Sequence, residues 1–332
     1  MKKCLIYADL FITEEMMKEG FKPLEDCGYE LDIKKWYHDS LEELQDDNIL
    51  LEHEGSEAVS LPENLKANLE DYEIIITQFA PIGREIVDKA KNLKILGVLR
   101  AGTENVCKEY AESKGIKVFN TMGRSNISVS EYTVGMMIAE SRNIARSNYS
   151  LKNGKWRKEY PNGVLPLSIK SSVIGLIGFG SIGKQVANLL KSFGSEIIIY
   201  DKYLDNIEGF EQVSKEELLT RSDIISMHAR LTDETKNLLD FADFEKMKKS
   251  AIIINTARSG LINEKALIDA LKNKKISSAA VDVFDVEPLP NDHEYLSLDN
   301  ITITSHIAGS TLDNFKNSPD ILVKDILKEI NE

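Results

Sequence analysis

The chain has 332 residues, with 54 acids against 41 Lys and Arg and a formal net charge of -13. With 42% hydrophobic and 29% charged residues it can bury a large core, and the acidic balance argues against nucleic acid as a partner. No run of about 18 apolar residues is present to span a membrane, and at about 100–200 residues per domain the length predicts two domains.

Elements alternate from the start. Residues 1–11, MKKCLIYADLF, hold too short an apolar run for a secretory leader and read as a first strand, so a cytoplasmic protein is expected. Residues 39–73 hold twelve acids and one base, Lys66, and are expected to form a solvated surface. Strand-like runs follow at Ile74–Thr77 and 95–99. Residues 128–151 then predict one long helix, which suits a dimer interface or an ordinary core, and a domain crossover is expected near 120–125.

Beyond that helix the apolar runs Val173–Ile177, Glu196–Tyr200, 223–228, 251–255, 277–284 and 301–304 alternate with helical patterns. The helices are predicted over 181–193, 214–221, 241–248 and 263–273; Ser214 with Glu217 makes a capping-box pattern, and Asn263 is a good N-cap. Strands apolar on both faces, separated by helices, predict an α/β protein with doubly wound, largely parallel sheets. The three cysteines, Cys4, Cys27 and Cys107, are too far apart for a disulfide framework or a metal site. Each is expected to be a small buried apolar residue.

The run from Val173 to Lys184 places Gly178, Gly180 and Gly183 directly between a strand and a helix. The first glycine permits a tight turn, the second lets the backbone approach a pyrophosphate, and the third lets helix and strand pack closely. The helix N-terminus offers free N–H groups to the phosphates. Asp201 ends the next strand, 18 residues after Gly183, where its carboxylate can accept the hydroxyls of an adenosine ribose. NAD is therefore expected over NADP, a preference that Lys202 weakens slightly.

Ligands bind at the carboxyl ends of strands in open α/β sheets. Read there, the remaining strands offer His228, then Arg258, then Glu287, then His306. Hydride transfer to a carbonyl leaves negative charge on oxygen that must be protonated, and a histidine with a pKa near ~6.5 is a natural donor. A carboxylate beside it favours the imidazolium and orients the ring. An arginine can hold a substrate carboxylate and polarise the carbonyl. The trio fits interconversion of a 2-oxo acid and a 2-hydroxy acid.

At these residues the sequence resembles the D-isomer-specific 2-hydroxyacid dehydrogenases, over nearly its whole length. Leu99-Arg100-Ala101-Gly102-Thr-Glu-Asn105-Val106 is similar to the family's substrate-domain loop. The glycine turn, Asn255-Thr-Ala-Arg258, the run from Val281 to Pro288, and His306-Ile-Ala-Gly309 are similar to its cofactor and catalytic motifs, in order. The resemblance implies a Rossmann NAD-binding domain, residues 121–307, inserted into a flavodoxin-like substrate domain, residues 1–120 plus 308–332, with the helix at 312–331 returning to the latter. It implies an active site in a cleft that closes on substrate, and a homodimer or homotetramer.

Carried over residue by residue, Arg258, Glu287 and His306 would be catalytic. Gly178, Gly180, Ser181, Ile182, Gly183, Asp201, His228, Thr256, Ala257, Asp282 and Gly309 would contact NAD, Asp282 through the nicotinamide amide. Arg100, Ala101, Gly102 and Gln78 would face the substrate. Ser305, Arg230 and Ser259 depart from the family's usual proline, proline and glycine. Gln78 lies where phosphoglycerate enzymes tend to carry a basic residue, which counts against that substrate, and no regulatory domain is expected after the closing helix. Two alternatives remain: a formate- or phosphite-type dehydrogenase, against which Glu287 stands where glutamine is usual, and an NAD(H)-sensing regulatory or scaffold protein.

Overall fold

The computed structural model describes residues 2–163 and 165–331. They divide into two units, residues 1–124 with 311–332 and residues 125–310.

In the first unit β1 (Lys2–Ala8), α1 (Glu14–Asp26), β2 (Tyr29–Lys35) and α2 (Leu41–Glu54) are followed by β3 (Ile74–Thr77), α3 (Arg84–Lys89), β4 (Ile95–Val98), α4 (Lys108–Ser113) and β5 (Lys117–Asn120). The strands form one parallel sheet in the order β2-β1-β3-β4-β5, the flavodoxin-like arrangement. Alternate residues serve the two faces: Leu5, Tyr7 and Ile75 join one buried cluster, and Cys4, Ile6, Ile74 and Ile76 the other.

The second unit opens with α5 (Asn126–Ser141) and α6 (Ile144–Lys152). It continues through β6 (Val173–Ile177), α7 (Ser181–Lys191), β7 (Glu196–Tyr200), β8 (Glu211–Gln212), α8 (Lys215–Arg221), β9 (Ile224–Met227) and α9 (Phe241–Phe244). It closes with β10 (Ile252–Asn255), α10 (Glu264–Lys272), β11 (Ser278–Val281) and β12 (Ile301–Ile303). All seven strands are parallel in the order β12-β11-β10-β9-β6-β7-β8, a Rossmann sheet with one further strand. The side chains again divide by parity: Ile198 and Ile253 pack on one face, Ile197, Ile199, Ile252 and Ile254 on the other. The chain then returns to the first unit as α11 (Leu312–Lys316) and α12 (Ser318–Asn331), where Leu322, Val323 and Ile326 join the first unit's core.

Several expectations are corrected. The single helix over 128–151 is two helices, because Asn143 adopts a left-handed conformation (φ 55°) between them. Strands β2, β5 and β8 had no apolar signature, and all three are sheet edges whose side chains, Tyr29 apart, are half-exposed or exposed. The helix expected over 241–248 ends at Phe244. Only Cys4 is buried; Cys27 and Cys107 are partly exposed, and all three are free thiols. Ser214 and Asn263 do cap α8 and α10, accepting the Glu217 and Ala266 N–H groups.

Candidate functional site

The glycine turn leaves β6 beside β9, where the strand order reverses. Gly178 has φ +97° and no room for a side chain: a Cβ would lie 2.5 Å from the Ala229 nitrogen. A Cβ on Gly183 would lie 2.6 Å from the Gly178 carbonyl oxygen, so α7 is pressed against the turn that starts it. Gly180 differs, since a Cβ there meets nothing within 4 Å. The turn is thus closed on the protein side and open at Gly180. Beside it Ser181, Ile182 and Gly183 form the first turn of α7, whose N–H groups have no partner within the helix. That combination fits a pyrophosphate.

Asp201 is tied into the same turn. Its Oδ2 accepts the Phe179 N–H at 2.7 Å and its Oδ1 accepts the Tyr203 N–H at 2.8 Å. Lys202, the neighbour expected to dilute its charge, instead pairs with Glu234 at 2.8 Å. His228 lies behind the turn, with Nε2 2.9 Å from the Ser226 hydroxyl. Burial pushes its pKa down to about 4, so it is neutral at ordinary pH.

The next strand ends carry the charged trio. Asn255, 2% exposed at the end of β10, grips the turn after it from both sides: its Oδ1 accepts the Ala257 N–H at 3.0 Å, and its Nδ2 donates to the Arg258 carbonyl at 2.9 Å. Arg258 is exposed and folds back so that Nη1 donates to the Ala257 carbonyl at 2.7 Å. Thr256 is buried, 2.6 Å from the Thr133 hydroxyl of α5.

Glu287, after β11, is shaped by its own loop: Oε1 accepts the Phe284 N–H at 2.9 Å while Oε2 lies 2.7 Å from His306 Nδ1. A carboxylate only accepts, so Nδ1 carries the proton and Nε2 is left to exchange one. The Glu287 hydrogen bond raises the pKa of His306, and this outweighs its partial burial. Burial works to raise Glu287, but the bonds from His306 and Phe284 and the charges of His306 and Arg258 hold it below the usual carboxylate range. Arg258, Glu287 and His306 therefore form one electrostatic group within the second unit.

His306 itself has φ 53°, a conformation uncommon for a residue with a side chain. Asp282, fully buried at the end of β11, holds that loop. Its Oδ1 accepts the Thr304 hydroxyl at 2.6 Å and the Ile307 N–H at 3.1 Å, and its Oδ2 accepts the Ala308 N–H at 2.8 Å. The carboxylate expected to meet a nicotinamide amide thus already serves three donors around His306. Gly309 closes the same loop, half-buried.

The first unit holds the other candidates, and two of them are not open to a ligand as expected. Arg100 is buried, its Nη1 donating to Asn48 Oδ1 at 2.7 Å and its Nη2 paired with Glu52, with Glu104 at 3.8 Å. Its charge is neutralised in place, and the acidic stretch thereby supplies a structural counterion as well as solvated surface. Gln78 is fully buried, with neither amide atom hydrogen-bonded. Ala101 is exposed and Gly102 partly exposed, leaving that short loop accessible. Sequence reasoning missed Asn255, Thr133 and Thr304 as supports of the site; a threonine one turn from a serine inside an apolar helix was the available signal. Among the described residues no cluster of His, Cys, Asp and Glu could hold a metal, and no helix is long and apolar enough to cross a membrane.

The model of a family described as "D-isomer specific 2-hydroxyacid dehydrogenase, NAD binding domain" matches residues 134–308. A hydroxypyruvate reductase of Thermotoga maritima is 39% identical over 77% of this chain and 84% of its own length. A D-3-phosphoglycerate dehydrogenase of Methanocaldococcus jannaschii is 39% identical over 80% of this chain; the match spans about half of that relative, 51%. Among solved structures, an NAD-complexed D-isomer specific 2-hydroxyacid dehydrogenase of Lactobacillus delbrueckii ssp. bulgaricus superposes with a TM-score of 0.78. The superposition covers 99% of this chain and 97% of that one at 21% identity, a likeness of fold.

Proposed function

The chain belongs to the D-isomer specific 2-hydroxyacid dehydrogenase family, and from that premise we propose that it is an NAD-dependent oxidoreductase interconverting a small 2-oxo acid and its D-2-hydroxy acid. The observation that carries this reading is the 2.7 Å contact of His306 with Glu287 beside the charge of Arg258. NAD(H) supplies the hydride when bound. The first turn of α7 would hold its pyrophosphate beside the open Gly180, and Asp201, already tied by the Phe179 and Tyr203 N–H groups, would take the ribose hydroxyls.

The protein's own part is position, charge and a proton. Arg258 grips the substrate carboxylate with its planar fork and draws electron density toward the carbonyl oxygen. His306 gives its Nε2 proton to that oxygen as charge develops, while Glu287 keeps the ring oriented and favours the imidazolium. In the oxidative direction Nε2 takes the hydroxyl proton back. In the first unit Arg100 is already paired with Glu52.

A homodimer belongs to the same reading. Ile144, Tyr149, Leu151, Trp156 and Leu167 are all more than half exposed on α6 and the segment after it, an apolar surface that a second copy would cover. A reducing, cytoplasmic setting is supported by the three free thiols.

The test follows NADH absorbance with a panel of 2-oxo acids: glyoxylate, hydroxypyruvate, pyruvate, longer oxo acids and phosphohydroxypyruvate. Turnover is expected on at least one, falling about 10²–10⁴-fold in His306→Ala. Tight NADH binding with no turnover on any of them would favour the sensing role instead, and full activity in His306→Ala would remove the acid/base assignment.

A further inference from the structure

Helix α5 carries an unusual buried stripe. Ser130, Thr133, Met137 and Glu140 recur at helical spacing and are all fully buried, yet three of the four are polar. Each polar member reaches a different part of the second unit. The Ser130 hydroxyl, which donates to the Asn126 carbonyl at 2.6 Å, also lies 3.4 Å from the Ile182 carbonyl in the first turn of α7. Thr133 meets Thr256, two residues before Arg258. Glu140 accepts the Thr302 hydroxyl of β12 at 2.6 Å, on the strand that leads to His306. A hydrophobic face would have packed as well, so the polar choice calls for a reason beyond burial.

The Thr133 bond has a determined direction. The single hydroxyl proton of Thr133 goes to the Val129 carbonyl at 2.7 Å, the usual back-bond of a helical threonine. Thr256 must therefore donate, across 2.6 Å, to the Thr133 oxygen. This adds a further tie to the turn that Asn255 already grips, and Arg258 leaves from that turn. The exposed arginine has no carboxylate of its own among the described ion pairs, so its backbone is what aims it.

We propose that Thr133 is a positioning residue for Arg258, acting through the Thr256 hydroxyl to hold the arginine turn in register with the rest of the second unit. This rests on the dehydrogenase reading, because the effect is read in substrate binding. Thr133→Val keeps the volume and removes the acceptor, leaving a buried Thr256 hydroxyl without its partner. Thr133→Ser restores an oxygen at the same place.

The experiment measures kcat and KM for the best 2-oxo acid, Kd for NADH, and thermal melting, in the wild type, Thr133→Val, Thr133→Ala, Thr133→Ser, Arg258→Ala and Thr133→Val with Arg258→Ala. Losing one such bond should lower kcat/KM in Thr133→Val and Thr133→Ala by about 5–30-fold, mostly through KM for the oxo acid. Any loss of NADH affinity, through the Thr256 and Ala257 positions expected to contact NAD, should be smaller than the rise in KM for the oxo acid, and Thr133→Ser should recover most of both losses. In the Arg258→Ala background Thr133→Val should add less than about twofold, since the two act on one contact. Independent, multiplying losses would overturn the proposal, as would kinetics unchanged in Thr133→Val and Thr133→Ala or a loss that Thr133→Ser does not recover. A wild type without turnover fails the dehydrogenase reading and takes this inference with it; a working wild type beside unaffected Thr133 variants fails the inference alone.

Discussion

His306 holds its proton against Glu287: Nδ1 lies 2.7 Å from Oε2, and that hydrogen bond raises the histidine pKa above its ordinary value. The sign has a direct kinetic reading. Below the raised pKa His306 is charged and can donate; as pH rises through it, the proton is lost and reduction of the oxo acid declines. Glu287→Gln removes the carboxylate's charge, so the alkaline limb of kcat/KM should move to lower pH. Above the midpoint each pKa unit lost costs about tenfold in protonated histidine. A pH profile of both proteins checks this, and an unmoved limb would count against the pair.

Asp201 serves two masters, the Phe179 and Tyr203 amides and the proposed ribose. Asp201→Ala should weaken NADH and narrow the ratio of NADH to NADPH in kcat/KM, because the group that repels a 2′-phosphate is gone. Lys202 beside it is already paired with Glu234 at 2.8 Å. Steady-state kinetics with both cofactors reads the outcome, and an unchanged ratio contradicts the ribose assignment.

Glu140 and Arg146 form a buried pair at 2.6 Å, the glutamate fully buried and the arginine 7% exposed. Arg146 also donates to the Asp299 carbonyl and to Asn143 Oδ1, and Glu140 also accepts the Thr302 hydroxyl, so removing the carboxylate strands a charge and a hydroxyl. Glu140→Ala should destabilise by about 3–5 kcal/mol, whereas replacing both partners by apolar residues of similar volume should cost much less. Denaturant midpoints of the two variants measure the difference.

Trp156 is 78% exposed and Ile144 53% exposed. If a second copy covers this surface, Ile144→Glu with Trp156→Glu should shift the protein to a monomer in light scattering, with NADH affinity retained. A wild type already monomeric at micromolar concentration would refute the dimer.

Much of this was written in local patterns. The three glycines and the acid after the next strand predicted a turn that the structure builds with a separate steric reason for Gly178 and Gly183. Arg258, Glu287 and His306 were legible because each ends a strand of one parallel sheet, and parallel strands bring their ends to one edge. What stayed hidden depended on contacts distant in sequence. Nothing near Arg100 says that Glu52, about fifty positions earlier, neutralises it while Asn48 accepts a hydrogen bond from it. Nothing near Asp282 says that its oxygens go to the loop after β12. The break at Asn143 escaped because its neighbours are good helix formers, and a single left-handed residue leaves no periodic trace.

The return of α12 has a consequence for the order in which the chain matures. Gly97 of β4 leaves no space beyond Leu322, and Gly20 of α1 is covered by Pro319, so the first unit's core includes a helix encoded about two hundred residues after the last of its strands. At about 5–20 residues per second, the intervening unit alone occupies the ribosome for about ten to forty seconds. During that interval α1 alone covers that face of the first sheet, which stays partly open, while the second unit, contiguous in sequence, has everything it needs to fold. The unit begun first is the one completed last, and its waiting apolar face is where a chaperone would find this protein during synthesis.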